Sequence, residues 1–374
     1  MQRRQVVIGV LGMVLAAAAA HAAAPNQVTL FGQKYAVEVH KRDGTFANGV
    51  KIALQGPDTD TTQKANLCFV QSADPSADRL FISAPIGTNT DGPTGDQLYL
   101  LTGADKNGLF NTTNSKATQY LGGNVDRVGG GRPVMVAWIS DTDTGGVKKD
   151  RNLVVMNFTD TDKYRFYDFD TLSGGDYISD AVLEIQQPEE DESVADPGMP
   201  DGDFEATTLT PNGMLLVAGN GLADDNGDRT PEIGVMDPTK NAFFNVKTRL
   251  VDATKNAAIK VDPPTDLPQS LVRLPNSTDE YWLLTSQDAQ GDDDNTTSET
   301  LYRLKITVPT DLANAKPGSI TVDVLGKEDI LATNLGSSPG GIFGFTLGRL
   351  GANGMPQIYM ADWHGNLVTL TPTP

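Results

Sequence analysis

Five times along the chain an apolar run is followed by a Gly-, Asp- or Asn-rich loop and then by a second apolar run. The first runs are Arg79–Pro85, Pro133–Ile139, Gly213–Gly219, Glu280–Thr285 and Pro356–Asp362. Their partners are Gln97–Leu101, Arg151–Met156, Pro231–Met236, Thr300–Leu304 and Gly365–Leu370. The first runs begin at 79, 133, 213, 280 and 356, which gives steps of 54, 80, 67 and 76. Each run is short and rich in β-branched or aromatic residues, the composition that suits a pleated strand. Helical periodicity is nearly absent, and only Asp311–Lys316 has the spacing for one turn.

A long, imperfect repeat of strands predicts an array of blades. The expectation is an all-β chain forming a single β-propeller of about five four-stranded blades. Val50–Leu54 and Tyr177–Gln187 leave room for a sixth or seventh. In the third unit Phe204–Leu209 leads in and Ala242–Lys247 closes. In the fourth, Gln269–Leu274 leads in and Ile320–Leu325 closes. The fifth unit begins with Gly341–Thr346, but the chain ends after its third strand. The alternating segment Lys34–His40 can supply the missing strand, closing the ring and removing an exposed edge. Residues 187–203 are acidic and proline-rich and are expected to form a solvated loop.

The chain begins Met1-Gln-Arg-Arg4, continues with an apolar run from Val6 to Ala20, and reaches the small-x-small site Ala20-His-Ala22. This is the layout of a signal peptide over 1–22, with residues 23–374 as one exported domain, periplasmic or extracellular. No later segment is long and apolar enough for a membrane-spanning helix. Losing Arg3 and Arg4 would leave 27 basic residues against 48 acidic ones, a net charge of −21 compared with −19 for the whole chain. Such acidity argues against nucleic acid and anionic membranes as partners. It suits Ca²⁺, cationic ligands or solubility alone. The expected partner is a small molecule or a protein, and the chain is expected to be a monomer.

Histidine is scarce. Beyond the leader only His40 and His364 remain, which excludes a multi-histidine metal centre. No Gly-x-Ser-x-Gly elbow is present. The single cysteine, Cys68, lies in the apolar run Leu67–Val70 and is expected to be a buried small hydrophobe. Propeller ligands gather at the central mouth, near the starts of innermost strands. The residues expected there include Asn66, Asp126, Arg127, Asp203, Glu205 and Asp266. Asp203, Glu205 and Arg127 are the catalytic candidates, because a carboxylate beside an arginine can bind a polar ligand or activate water.

The sharpest local pattern is Asp224-Asp-Asn226-Gly-Asp228-Arg-Thr230-Pro-Glu232. Oxygen donors fall at relative positions 1, 3, 5 and 9, with the Thr230 carbonyl at 7, a spacing that wraps a tight loop around Ca²⁺. A looser set, Asp288, Asp292 and Asp294, occupies the equivalent tip of the fourth unit. Asp141 and Asp143, and Asp91 and Asp96, are expected in matching loops as solvated turns.

The 224–232 tip resembles the calcium loops of FG-GAP (integrin α-type) propeller repeats, departing from them at Arg229, where glycine is usual. The phrases Leu209–Gly219 and Ile358–Trp363 resemble blade phrases of NHL-repeat, gluconolactonase-like and phytase-like esterase propellers. That resemblance implies a propeller whose relatives range from calcium-dependent lactonases and esterases to plain interaction modules. The lactonase metal site would need acids and amides at several inner-strand starts, and Glu205 is the residue here that suits it best, with Asn66 second. The leading expectation is therefore a secreted propeller that binds a small molecule or a partner, with Ca²⁺ holding one or two tips. The alternatives are a calcium-dependent hydrolase of lactonase or phosphoesterase type at the central mouth, and a cell-surface structural or adhesion module.

Overall fold

The computed structural model describes residues 27–40, 45–50, 66–84, 97–119, 133–139, 153–158, 163–168, 183–186, 198–200, 204–219, 221, 230–237, 242–252, 257–258, 266–287, 298–331, 342–362 and 366–374. These contain strands and one short 3-10 turn, Pro75–Ala77, whose N-cap Asp74 accepts a hydrogen bond from the Ser76 amide. Among the described residues no helix is long and apolar enough to cross a membrane.

In chain order, the N-terminal hairpin is β1 (Gln27–Leu30) and β2 (Gln33–His40). The first unit is β3 (Asn66–Val70), β4 (Arg79–Ala84), β5 (Gln97–Thr102) and β6 (Lys116–Gln119). The second is β7 (Pro133–Ile139), β8 (Leu153–Phe158), β9 (Lys163–Asp168) and β10 (Leu183–Gln186). The third is β11 (Phe204–Leu209), β12 (Leu215–Gly219) and β13 (Glu232–Asp237), with its fourth strand split into β14 (Ala242–Phe243) and β15 (Thr248–Arg249). A ribbon of β16 (Val251–Asp252) and β17 (Ala257–Ala258) follows. The fourth unit is β18 (Asp266–Arg273), β19 (Glu280–Gln287), β20 (Ser298–Thr307) and β21 (Thr321–Leu331). The chain ends with β22 (Ile342–Leu350), β23 (Pro356–Asp362) and β24 (Leu367–Pro372).

Each unit is an antiparallel meander in chain order. The innermost strands follow one another around an axis: β3 lies against β7 and β22, β11 against β7 and β18, and β18 against β22. The arrangement is all-β and propeller-like. Four units are each built from one continuous stretch of chain, in place of about five equivalent ones. The remaining sheet is a composite of both chain ends, in the order β1-β2-β24-β23-β22. The stretches reserved for a sixth or seventh unit yield none among the described residues. Leu183–Gln186 is the outer strand of the second unit, and residues 51–54 lie outside the described set.

The second unit also corrects the strand alignment. The repeat matches Pro133–Ile139 with Arg79–Pro85, yet β7 is the innermost strand of its sheet, whereas β4 is second in its own. Innermost strands begin at 66, 133, 204, 266 and 342, so the true steps are 67, 71, 62 and 76, more even than the apolar runs suggest. The single turn expected at Asp311–Lys316 is non-helical, with the Asn314 amide donating to Asp311 Oδ1 at 3.3 Å.

Three apolar clusters lie between neighbouring sheets. One joins the first unit to the composite sheet through Leu80, Ile82, Tyr99, Phe110 and Tyr359. A second joins the third and fourth units through Leu216, Ile233, Tyr281 and Leu304. The third joins the fourth unit to the composite sheet through Trp282, Leu301, Phe345 and Met360. These side chains are essentially removed from water, and burial of this kind is the main favourable term in folding.

The closing strand is the one the alternation predicts. Strand β2 pairs with β24 from Tyr35↔Pro372 to His40↔Leu367. Its hairpin turn, Phe31-Gly32, has positive φ at both residues (52° and 76°), the requirement of a type I′ turn, although a bulky side chain resists that conformation. The strain is offset by docking. Phe31 meets Trp282 edge-on with centroids 5.0 Å apart, lies 5.5 Å from the Arg303 guanidinium, and donates its amide to Glu328 Oε1 at 2.9 Å. Gly326 leaves the room for this, since a Cβ there would stand 2.9 Å from the Phe31 ring. Arg303 is held in turn by Glu280, at 2.9 Å. The hairpin therefore locks onto the fourth unit while β2 zips onto the last strand.

On its other side the composite sheet is stapled to the first unit. Asp78 is fully buried and takes both Arg349 Nε (2.5 Å) and Nη2 (2.8 Å), plus the Ser72 amide (2.7 Å). Tyr359 Oη donates to the Gly108 carbonyl at 2.8 Å, and Gln357 Nε2 to that of Asn107 at 2.9 Å. Removing one partner of a buried pair strands the other charge, so Asp78→Ala is expected to lower unfolding stability by about 3–5 kcal/mol, read from urea melts. A loss under about 1 kcal/mol would show that the pair does not hold the seam.

His40 ends β2 and is 8% exposed, and its Nε2 has no hydrogen-bond partner among the described residues. Burial holds its pKa below the ordinary 6.5, and the Glu38 carboxylate 3.7 Å away opposes this only in part. Below about pH 6.5 the unfolded chain binds a proton that the folded chain resists. The His40 contribution is thus complete above that pH and is lost as pH falls through the window beneath it. His40→Gln is expected to flatten the loss of urea midpoint between about pH 7.5 and 5.5. An identical slope in both proteins refutes the assignment.

Candidate functional site

Among the described residues the inner edge of each innermost strand has no ladder partner, so its backbone groups need other company. Hydroxyl side chains provide it. Thr208 Oγ1 on β11 accepts from the Arg273 amide on β18 at 3.3 Å. Ser270 Oγ on β18 accepts from the Phe345 amide on β22 at 3.1 Å. Thr346 Oγ1 on β22 accepts from the Phe69 amide on β3 at 3.2 Å. The direction is the same at each step, so the bonds form a partial belt across three of the five junctions between innermost strands. Two further bonds lie nearer the strand starts: Asn66 Nδ2 donates to the Gln269 carbonyl (3.1 Å), and the Ile342 amide to Glu299 Oε1 (2.9 Å).

The ladders of four innermost strands slip by one residue near their starts. The extra residues are Val134, Glu205, Gln269 and Phe343. Such bulges re-aim side chains and gather near functional sites. Nothing in the strand patterning marks them, because a single inserted residue leaves no periodic trace.

Beside the belt lies an axial cavity of about 580 Å³, in the size range of small-molecule sites. It follows β3 from Asn66 into Gln71–Ala73, and meets Thr207–Leu209, Leu271–Arg273, Pro275–Asn276 and Thr346–Leu347. The cavity thus extends along the axis towards the ends of the innermost strands, whereas the sequence places the ligand mouth at their starts. Cys68 lines it and is half-buried, not the fully buried hydrophobe expected; it forms no disulfide. Arg273, which carries no motif in the sequence, is the charged residue in the described lining. No local motif could have marked it, since what distinguishes it is tertiary.

The expected site residues fare unequally. Asn66 lines the cavity and is buried. Glu205 is the bulged residue at the start of β11, and Asp266 begins β18. Asp203, Arg127, Asp126 and His364 lie outside the described residues, as do Asp224, Asn226, Asp228, Asp288, Asp292 and Asp294. Asp141 and Asp143, expected in matching loops, lie outside the described residues as well.

Thr230 and Glu232 are described. Gly221 and Thr230 form the neck of the tip: Gly221 has φ 73°, and a Cβ there would come within 1.9 Å of the Thr230 carbonyl oxygen. Glu232, expected as the ninth-position calcium donor, is buried and paired with Lys247 Nζ at 3.0 Å, with Arg249 Nε at 4.0 Å. Its carboxylate is therefore already neutralised, and the described residues offer a cation only part of a shell. The loop 187–203 is not wholly solvated either: Gly198 and Pro200 are buried and pack on β13 at Gly234.

No protein-family model and no curated protein matches the chain. Among solved structures it is similar to an oxidoreductase (glucose dehydrogenase) from Thermus thermophilus, at 12% identity over 91% of this chain and 93% of that one, with a TM-score of 0.40. It is also similar to the PQQ-bound aldose sugar dehydrogenase of Streptomyces coelicolor, at 14% identity over 88% and 79%, TM-score 0.35. A third is a GH43 β-1,3-galactosidase with galactodeoxynojirimycin, at 8% identity over 88% and 93%, TM-score 0.44. At these scores the likeness carries no inference about ligand or reaction.

Proposed function

We propose that this chain is an exported propeller-type binding module whose axial cavity seats a small polar molecule. The observation that supports this best is the cavity itself. It is large enough for a small ligand, and amides and hydroxyls from Asn66, Gln71, Thr208 and Thr346 mix there with apolar surface from Leu209, Leu271 and Leu347. That mixture of apolar walls and few polar groups is what fixes a ligand's orientation. The belt hydroxyls each use a lone pair on a neighbouring amide and keep an O–H donor for a second partner.

Cys68 gives a built-in reporter, because it is the chain's only cysteine and lines the cavity. In a thermal-shift panel of polar metabolites, a molecule that fills the cavity is expected to raise the melting temperature by a few degrees. The same molecule should slow alkylation of Cys68 by iodoacetamide at least about fivefold, since binding at about a hundred times Kd leaves about one site in a hundred open. Ligands that stabilise without shielding Cys68, or a panel with no stabilising molecule, overturn the reading.

Calcium enters this proposal as a clamp on the 224–232 tip and not as a reagent. Support comes from the oxygen spacing of Asp224, Asn226 and Asp228, while the Lys247–Glu232 pair limits the donors to those residues and the Thr230 carbonyl. Chelation with EDTA is expected to lower the melting temperature of the wild type and not that of Asp228→Ala. Equal melts with and without chelator refute the clamp. A hydrolase built on Asp203, Glu205 and Arg127 is the second reading, favoured by the bulge at Glu205. It requires turnover of aryl esters or lactones that Glu205→Gln abolishes.

A further inference from the structure

We propose that Arg273 is the anion anchor of the axial cavity, and that the ligand carries an oxyanion, either a carboxylate or a phosphate. This deepens the binding-module reading and rests on it. The argument begins with charge. The chain has 48 acidic and 29 basic residues, so an arginine beside acidic groups is the normal situation. Arg249 stands 4.0 Å from Glu232, Arg303 2.9 Å from Glu280, and Arg349 is clasped by Asp78. Arg273 differs: no carboxylate lies within 4.0 Å of it among the described residues, and no Asp or Glu is in the described cavity lining.

Its surroundings hold it at the cavity wall. Its own amide is tied into the belt by Thr208, and in the ladder it faces Tyr281, which is 1% exposed. Burial pushes the Tyr281 phenol up to about 12, so that group stays neutral and supplies no counter-charge. Arg273 is half-buried, and its guanidinium offers several N–H donors in a planar fork, the shape that takes a carboxylate or a phosphate through two parallel bonds. Gln71 and Asn276 add amide donors at the same end of the cavity, and Thr208 keeps its hydroxyl proton. The wall is therefore rich in donors and carries one positive charge. A neutral polyol would leave that charge unanswered, and an ammonium ligand would be repelled by it.

The test uses the full mature chain in low-salt buffer and four anions. Succinate and citrate probe carboxylate recognition; inorganic phosphate and glycerol 3-phosphate probe phosphate recognition. Succinamide and glycerol are the neutral controls. Affinity is measured by calorimetry, and occupancy by Cys68 alkylation. One anion series is expected to bind and shield Cys68 while its neutral control does not, and the series that does so identifies the oxyanion. Arg273→Gln should weaken that binding about ten- to hundredfold, as expected for losing charge-assisted hydrogen bonds, with Arg273→Lys in between. If the Gln variant melts abnormally, the Lys variant carries the comparison. Equal shielding by neutral controls, or unchanged affinity in a folded variant, removes the anchor and leaves the binding-module reading standing. Absence of shielding by all six probes overturns the anchor, and that reading then depends on the metabolite panel alone.

Discussion

The structure depends on how the innermost strands satisfy inner edges that have no ladder partner among the described residues, and hydroxyls do so at three of the five junctions. In each sheet the second, third and outer strands find ladder partners, but the innermost strand faces the axis on one side. The amides of Phe69, Arg273 and Phe345 find their partners in hydroxyls across three of these edges. A buried amide without a partner costs about 1–3 kcal/mol. Hydroxyls at Thr208, Ser270 and Thr346 meet this cost from the next strand, so the same bonds that satisfy the edge also set the spacing of the sheets. The cavity lies beside these bonds, and its described lining is drawn from four of the innermost strands and their outgoing turns. An aliphatic residue at Thr208 or Thr346 would lose both the edge satisfaction and a hydroxyl of the cavity wall.

Closure obeys a second constraint. A ring assembled from consecutive meanders must join its first and last elements, and here both neighbours of the composite sheet use polar locks buried among aromatics. Asp78 and Arg349 tie it to the first unit, with Phe69, Phe110 and Tyr359 packed beside them. Phe31 ties it to the fourth unit between Trp282 and Arg303. A bulky residue at positive φ is tolerated when its surroundings over-determine it, and the Gly326 socket does this for Phe31.

Much of this architecture is legible in the sequence. Alternation in Lys34–His40 identifies the closing strand, and short β-branched runs identify most of the ladder. The second unit misleads for a physical reason. Innermost strands such as Phe204–Leu209 and Asp266–Arg273 carry polar residues because they supply the belt, whereas Pro133–Ile139 is apolar throughout and so looks like a second strand. The site is less legible. Glu205 and Asn66 stand out because strand starts near an axis are natural places for ligands. Arg273 does not, since what sets it apart is that no carboxylate lies within 4.0 Å of it among the described residues, and such neighbours are set by packing between units distant in sequence. Glu232 shows the converse: a donor spacing written in nine consecutive residues says nothing of Lys247, fifteen residues on, which occupies the carboxylate.

The composite sheet also has a consequence for time. The β2–β24 ladder pairs Tyr35 with Pro372, close to the two ends of the chain, so the ring has no stable closed form until its last strand exists. Contacts of such sequence separation form slowly, because the loop entropy is lost before any contact offsets it. The four contiguous units can each collapse as their strands emerge, but the N-terminal hairpin must wait, with Phe31 and the apolar face of β2 uncovered. During that interval its exposed edge is a template for pairing with other chains. Charge on the waiting strand, at Lys34 and Glu38, makes such pairing less favourable, while the strand's alternation preserves its fit to β24.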